Sequence, residues 1–272
     1  MSNFRLTKSF QSSYGKIKYD VKGEGKALVL VHGTPWSAYN YRHLIDALSD
    51  WYKVYYYDLI GYGQSEKIET DVSLGIQNEV LNELLRHLDV SKPIIIGHDF
   101  GGGTALRTHI VNQIDFEKIV LIDPVAIGEW GSPFFRHIAN YEEAFQGLPD
   151  YIHENLVTTY VKSALYNPLD ENIIKSIVSY WCNEKGKKAF YRQIAQSDMK
   201  YTKEIEAQYK DMNVPTLILW GEIDEWIPVE KAHQLNESIP NSILHIIPDS
   251  GHLVLEEKPT QIFSHILAFL IK

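Results

Sequence analysis

Pro93-Ile94-Ile95-Ile96-Gly97-His98-Asp99-Phe100-Gly101-Gly102-Gly103 is an apolar run that breaks at small residues and then resumes with a helical pattern. A short β-branched run of this kind reads as a buried strand, and the small residues after it as a tight turn into a helix. In the pattern G-x-Nu-x-G such a turn lifts one side chain above the sheet edge. Glycines on both sides keep neighbouring atoms clear of a strained central residue. The raised residue here is Asp99, where a serine would ordinarily be expected. A carboxylate in that place is a nucleophile for alkyl carbon, and attack makes an ester of the protein itself.

Outward from this segment, short apolar runs alternate with longer amphipathic stretches. That is the pattern of an α/β protein with a mostly parallel sheet. Tyr14–Val21 reads as a leading antiparallel strand. Ala27–Val31, Val54–Tyr57, Pro93–Ile96, Lys118–Ile122, Thr216–Trp220 and Ile243–Ile247 read as core strands. Helices are expected over Tyr41–Leu48, Leu74–Leu88, Gly103–Asn112, Glu230–Ser238 and Thr260–Leu270. Between Glu129 and Tyr209 the alternation fails, and the chain turns helical and aromatic-rich. The expected organisation is a core in two parts, residues 1–128 and 210–272, with a helical cap at 129–209 inserted after the strand ending at Asp123-Pro124.

The 272 residues suffice for one large core with an inserted subdomain. A net charge of −9 argues against nucleic acid or an anionic membrane as the main partner. The single cysteine, Cys182, excludes an intrachain disulfide and points to a reducing, cytoplasmic location. Met1–Ser12 has neither the apolar stretch of a signal peptide nor that of an anchor. No G-K-[ST], no G-x-G-x-x-G spacing, no His-Glu-x-x-His and no paired cysteines occur, so no cofactor or metal is implied.

Three polar segments each follow a predicted strand, where open α/β sheets place their ligands. They contain Asp99, Asp224 (in Trp220-Gly221-Glu222-Ile223-Asp224-Glu225-Trp226) and His252 (in Asp249-Ser250-Gly251-His252-Leu253). Nucleophile, acid and histidine in that chain order, with Val31-His32-Gly33-Thr34-Pro35 and Asp58-Leu59-Ile60-Gly61-Tyr62-Gly63-Gln64-Ser65, resemble the α/β-hydrolase superfamily over nearly the whole chain. The resemblance implies an eight-stranded sheet flanked by helices. It assigns Asp99 as nucleophile, His252 as the base that activates water and Asp224 as its orienting acid. The backbone N–H groups of Thr34 and Phe100 would form the oxyanion hole. The plainer alternatives are Asp99 as a helix cap, Asp224 as a turn residue with Glu222, Glu225 or Asp123 in its stead, and a purely structural His252.

Within the superfamily an aspartate nucleophile resembles epoxide hydrolases and haloalkane or haloacetate dehalogenases. An opening epoxide needs O–H donors. Gly186-Lys187-Lys188-Ala189-Phe190-Tyr191-Arg192 and Asn140-Tyr141-Glu142-Glu143-Ala144-Phe145-Gln146 resemble the cap segments that carry such tyrosines, implying Tyr191 and Tyr141. A departing halide needs N–H donors. His32-Gly33-Thr34-Pro35-Trp36-Ser37-Ala38-Tyr39-Asn40-Tyr41-Arg42 is similar to haloalkane dehalogenases, but Thr34 and Phe100 stand where many of those carry Asn and Trp. Phenylalanine offers no donor. Trp36, Trp130, Trp181 and Trp226 are the remaining indoles considered. The expected substrate is a small, mainly apolar organic molecule, attacked together with water, and Trp36, His32 and His98 are further expected binding residues. Epoxide-to-diol hydrolysis leads, dehalogenation follows, and a serine-esterase-like or C–C hydrolase ancestry or a non-catalytic ligand-binding module is the third reading.

Overall fold

The computed structural model describes residues 4–272; the first three residues of the Met1–Ser12 segment lie outside it. Eight strands form one sheet: β1 (Lys8–Ser12), β2 (Gly15–Lys22), β3 (Lys26–Val31), β4 (Tyr52–Tyr57), β5 (Ile94–His98), β6 (Lys118–Ile122), β7 (Thr216–Gly221) and β8 (Ile243–Ile247). Their spatial order is β1-β2-β4-β3-β5-β6-β7-β8. The β1–β2 and β2–β4 pairs are antiparallel, and every later pairing is parallel. Strand β1, Lys8-Ser9-Phe10-Gln11-Ser12, carries no apolar alternation and is mostly exposed. It exists by pairing with β2, which is why the sequence pattern did not reveal it.

Helices α1 (Arg42–Leu48), α2 (Leu74–His87), α3 (Phe100–Ile110), α9 (Glu230–Ser238), α10 (Val254–Glu257) and α11 (Pro259–Leu270) accompany the sheet, while α4 (Pro133–Gln146), α5 (Asp150–Lys162), α6 (Glu171–Val178), α7 (Glu184–Ala195) and α8 (Lys200–Glu206) lie between β6 and β7. Alternate strand residues supply two separate cores. Leu28, Leu30, Ile94, Ile96, Val120 and Ile122 pack with Leu44, Leu48, Ile262 and Ile266 of α1 and α11. Val29, Val31, Ile95, Ile119 and Leu121 face Val80, Leu81, Leu84 and Leu106 of α2 and α3. This period-two division is what a sheet covered on both faces demands. The second core runs on without a break into the inserted helices through Ile138, Val157, Val161, Trp181, Phe190 and Ile194. No helix among the described residues is long and apolar enough to cross a membrane.

Candidate active site

Asp99 stands between β5 and α3 with φ 54° and ψ −121°. For a residue with a Cβ this positive φ is strained, and such strain persists only where the surroundings enforce it. Here they do: the Asp99 N–H donates to the Ile122 carbonyl at 3.1 Å, and the Asp99 carbonyl accepts from Gly102 N–H at 2.9 Å. The turn also presses Gly101 onto the neighbouring strand. A Cβ there would lie 1.9 Å from the Val31 carbonyl oxygen, so the small residue is obligatory.

The Asp99 carboxylate is held from two sides. Thr34 N–H donates to Oδ1 at 2.6 Å, and His252 Nε2 lies 3.1 Å from Oδ2. On the far side of the ring, Nδ1 lies 2.7 Å from Asp224 Oδ2. The other Asp224 oxygen accepts from the N–H groups of Trp226 and Ile227 at 2.8 and 2.9 Å. Asp224 is thus fixed by its own loop before it fixes the histidine. Burial alone would disfavour the imidazolium, but Asp224 and Asp99 outweigh it and hold the His252 pKa well above its ordinary value. The ring of Trp226 covers His252, stacked at 5.0 Å between centroids.

Asp123 is buried behind this group and accepts from Gly221 N–H at 2.8 Å through Oδ1. Burial, followed by the charge of Asp224, holds its pKa well above the carboxylate range. Asp123, Asp224 and His252 bring possible ligand atoms within 4.8 Å of one another. Both His252 nitrogens already face carboxylates, so a cation there would have to break the His252–Asp224 bond. The donor set fits a hydrogen-bonded relay better than a metal cage.

Above Asp99 lies a cavity of about 320 Å³ between sheet and cap. Thr34, Asp99 and Phe100 form its floor, and Val125, Trp130, Phe134, Phe135, Tyr160 and Trp226 form much of its wall. Among its lining residues only Asp99 and Glu225 are acidic, and none is Lys, Arg or His. Two indoles line it, but Trp130 donates to Thr202 Oγ1 and Trp226 to Ser163 Oγ, each at 3.0 Å. The Tyr160 hydroxyl is buried and has no partner. Burial and then the charge of Asp99 raise its pKa well above the ordinary value, so it stays a neutral O–H donor.

Five residues expected to bind substrate are placed away from this cavity. Tyr191 is buried within the cap, its hydroxyl 2.9 Å from His153 Nδ1. Tyr141 sits at a kink in α4 (φ −137°, ψ 34°), and the residue is 56% exposed. Trp36 is buried behind Trp226, stacked at 5.7 Å. His32 donates from Nδ1 to the Gly33 carbonyl at 2.8 Å and accepts Leu59 N–H at Nε2 at 3.0 Å. His98 donates from Nε2 to the His252 carbonyl at 3.0 Å. Burial pushes these two imidazoles down to about 3 and about 4, respectively, so they are neutral struts of the site. Trp181, another indole considered as a donor, gives its N–H to the Pro35 carbonyl at 2.9 Å.

Tyr160 was missed, although a signal existed. His153, Val157 and Val161 are buried at helical spacing on α5, and Tyr160, three residues after Val157, shares that inward side.

The chain matches the alpha/beta hydrolase fold family over residues 26–259 and belongs to it. It is a hydrolase of that fold. An alpha/beta hydrolase fold protein from Burkholderia ambifaria superimposes with a TM-score of 0.95 at 41% identity, covering 97% of this chain and 98% of the other. The uncharacterized hydrolase YugF of Bacillus subtilis is 31% identical over 260 residues, 90% of each chain. Epoxide hydrolase 3 of Xenopus tropicalis is 24% identical over 301 residues, 97% of this chain and 80% of that protein.

Proposed function

We propose that this hydrolase opens an epoxide to a vicinal diol through a covalent ester on Asp99. The observation that carries the reading is the strained Asp99, one carboxylate oxygen on Thr34 N–H and the other facing His252. That arrangement equips a carboxylate for attack and its ester for hydrolysis. The choice of an oxygen leaving group rests on the cavity wall. Its indole N–H groups are engaged by Thr202 and Ser163, whereas the Tyr160 O–H is unengaged. A halide would want the former and an alkoxide the latter. A distant relative named as an epoxide hydrolase supports the same direction.

In the first half, Asp99 Oδ2 bonds to an epoxide carbon, the ring C–O bond breaks, and the alkoxide takes the Tyr160 proton. The imidazolium of His252 then returns a proton to the phenolate. Esterification has removed the Asp99 charge that favoured the imidazolium, so this transfer leaves His252 neutral. In the second half, neutral His252 takes a proton from water while the water oxygen adds to the ester carbon. Oδ1, held by Thr34 N–H, carries the developing oxyanion. Collapse expels the alkoxide, which recovers the proton from His252 and leaves as the diol. The regenerated carboxyl protonates His252 and closes the cycle. The cavity's aromatic wall suits a small, uncharged, mainly apolar substrate, because an anion would lie beside Asp99 with no lining cation.

The test uses His252→Gln with a panel of aryl and alkyl epoxides and, side by side, alkyl halides. Epoxides should add their mass to the peptide containing Asp99. Mass addition from halides alone would replace this reading with dehalogenation. Diol formation by the unaltered enzyme in heavy-oxygen water, with no isotope entering Asp99 after one turnover, would remove the covalent mechanism.

A further inference from the structure

Two adjacent carboxylates close the short helix α10, and they serve opposite sides of the molecule. Glu256 is buried against the core: Arg42 donates to its two oxygens at 2.5 and 2.6 Å, and Asn40 Nδ2 donates at 3.0 Å. Glu257 faces the cap. Its Oε1 accepts Gly251 N–H at 2.9 Å and Tyr166 N–H at 3.3 Å. Its Oε2 accepts Asn167 N–H at 2.7 Å and Asn167 Nδ2 at 3.1 Å. Four donors use the acceptor capacity of one carboxylate, and they come from two parts of the chain. Gly251 immediately precedes the catalytic histidine, whereas Tyr166 and Asn167 belong to the loop that follows α5.

Other contacts sew the same seam. Leu253 N–H, just after His252, donates to the Ala164 carbonyl at 3.2 Å, and Asn167 Nδ2 donates to the Asp249 carbonyl at 2.7 Å. The approach is so close that a Cβ on Gly251 would meet the Ala164 carbonyl oxygen at 2.7 Å and Tyr166 N at 2.8 Å. At the C-cap of α5, Ser163 Oγ receives the indole N–H of Trp226, two residues beyond Asp224. The end of α5 therefore rests on both the acid loop and the histidine loop, and α5 itself carries Tyr160.

We infer that Glu257 is a positioning residue: its carboxylate locks the His252 loop to the end of α5, so that the base and the cap wall facing Asp99 move as one body. The part of this statement that concerns Tyr160 as a proton donor rests on the proposed function; the tie to His252 does not. The Asp224 hydrogen bond orients the ring but leaves the distance from Nε2 to Asp99, or to an attacking water, to the backbone of the loop. Glu257 sets that backbone by capturing the N–H one residue upstream.

Glu257→Gln keeps the shape and replaces one acceptor oxygen by a donor amide, which breaks one pair of the four bonds. Single-turnover mass measurements should show ester hydrolysis slowed by about tenfold more than ester formation, since a sub-ångström shift of a base suffices for that. Asn167→Ala, which removes only the side-chain donor, should shift the same ratio less. Arg42→Met cuts the Glu256 tie on the same helix and should lower the melting temperature with the two rates keeping their ratio. If Glu257→Gln also lowers both rates in parallel, or neither, the positioning role is refuted. A second readout needs no substrate. The ring ¹⁵N signals of His252 should show an altered titration midpoint in Glu257→Gln and Asn167→Ala and an unaltered one in Arg42→Met. Unaltered His252 signals in Glu257→Gln overturn the inference even if no epoxide is ever turned over. An altered signal in an enzyme that forms no ester upholds it while removing the proposed function.

Discussion

The sheet and the cap contribute to one cavity in different ways. The candidate site's side chains on the sheet sit within a few residues of a strand end, and its two carboxylates are fixed by backbone groups: Asp99 by Thr34 N–H, and Asp224 by the N–H groups of Trp226 and Ile227. The cap wall is made of side chains on separate helices whose inward faces depend on how those helices pack. Tyr191 and Tyr160 illustrate the difference. Both are tyrosines on cap helices and both have buried hydroxyls, yet one is spent on His153 and the other is unpartnered on a residue that lines the same cavity as Asp99. The placement of polar groups at the strand ends is a local property, and that on the inserted helices is a property of assembly.

The largest expected effect tests that contrast directly. Tyr160→Phe should slow ester formation on epoxides by roughly 10²- to 10⁴-fold, the usual weight of a general acid. Tyr191→Phe should leave the rate of that step nearly unchanged. Stopped single-turnover reactions followed by peptide mass decide between them, and a reversed order would return the donor role to Tyr191.

A smaller effect concerns pH. In the free site two carboxylates hold the His252 pKa well above its ordinary value, and in the proposed ester only the Asp224 carboxylate would remain beside it. Lowering the pH re-protonates the ring in the ester and removes the base, so hydrolysis slows while attack by Asp99 persists. The fraction of enzyme carrying the ester at steady state should rise as pH falls from about 8 to about 5, the range over which an imidazole titrates. Asp224→Asn should move this rise to lower pH, because one source of the upward shift is gone, and should also lower the maximal rate. An ester fraction that is flat with pH would remove His252 as the base of the second half.

The smallest effect is structural. Tyr191→Phe deletes the hydrogen bond to His153 Nδ1 and strands a buried nitrogen. A loss of about 1–3 kcal/mol in denaturant unfolding is expected for such an unpaired group. A variant as stable as the parent would mean that the cap tolerates either tyrosine role.

Much of the fold was legible because apolar period and breaker residues coincide at the core strands. Ile94–Ile96 and Ile119–Ile122 are continuous apolar runs, as strands buried on both faces must be. The expected helix at Glu230–Ser238 is the helix observed. The helix after the Asp99 turn begins at Phe100, earlier than the Gly103 expected, because Asp99 itself stands at the N-cap position. Edge strand β1 was illegible, since its exposed polar residues need only a partner strand to become extended. His32 and His98 were expected to bind substrate, and neither lines the cavity. Whether a histidine faces substrate or donates to a carbonyl behind the site depends on a neighbour distant in sequence, such as His252 for His98.

From the sequence, with the family resemblance, came the sheet flanked by helices, the helical stretch between β6 and β7, and the expectation that Asp99, Asp224 and His252 each follow a strand. The strand and helix positions follow from local backbone propensity and apolar period, which a short window contains, and the pairing of the three polar residues follows from the family resemblance. Only the tertiary structure decided which cavity-lining tyrosine has an unpartnered hydroxyl, which tryptophan N–H groups are already engaged, and that Glu257 spans the His252 loop and the loop after α5. Those outcomes depend on the pairing of polar atoms between segments far apart in the chain, and a hydrogen bond is specified by position in space, not by spacing along the sequence.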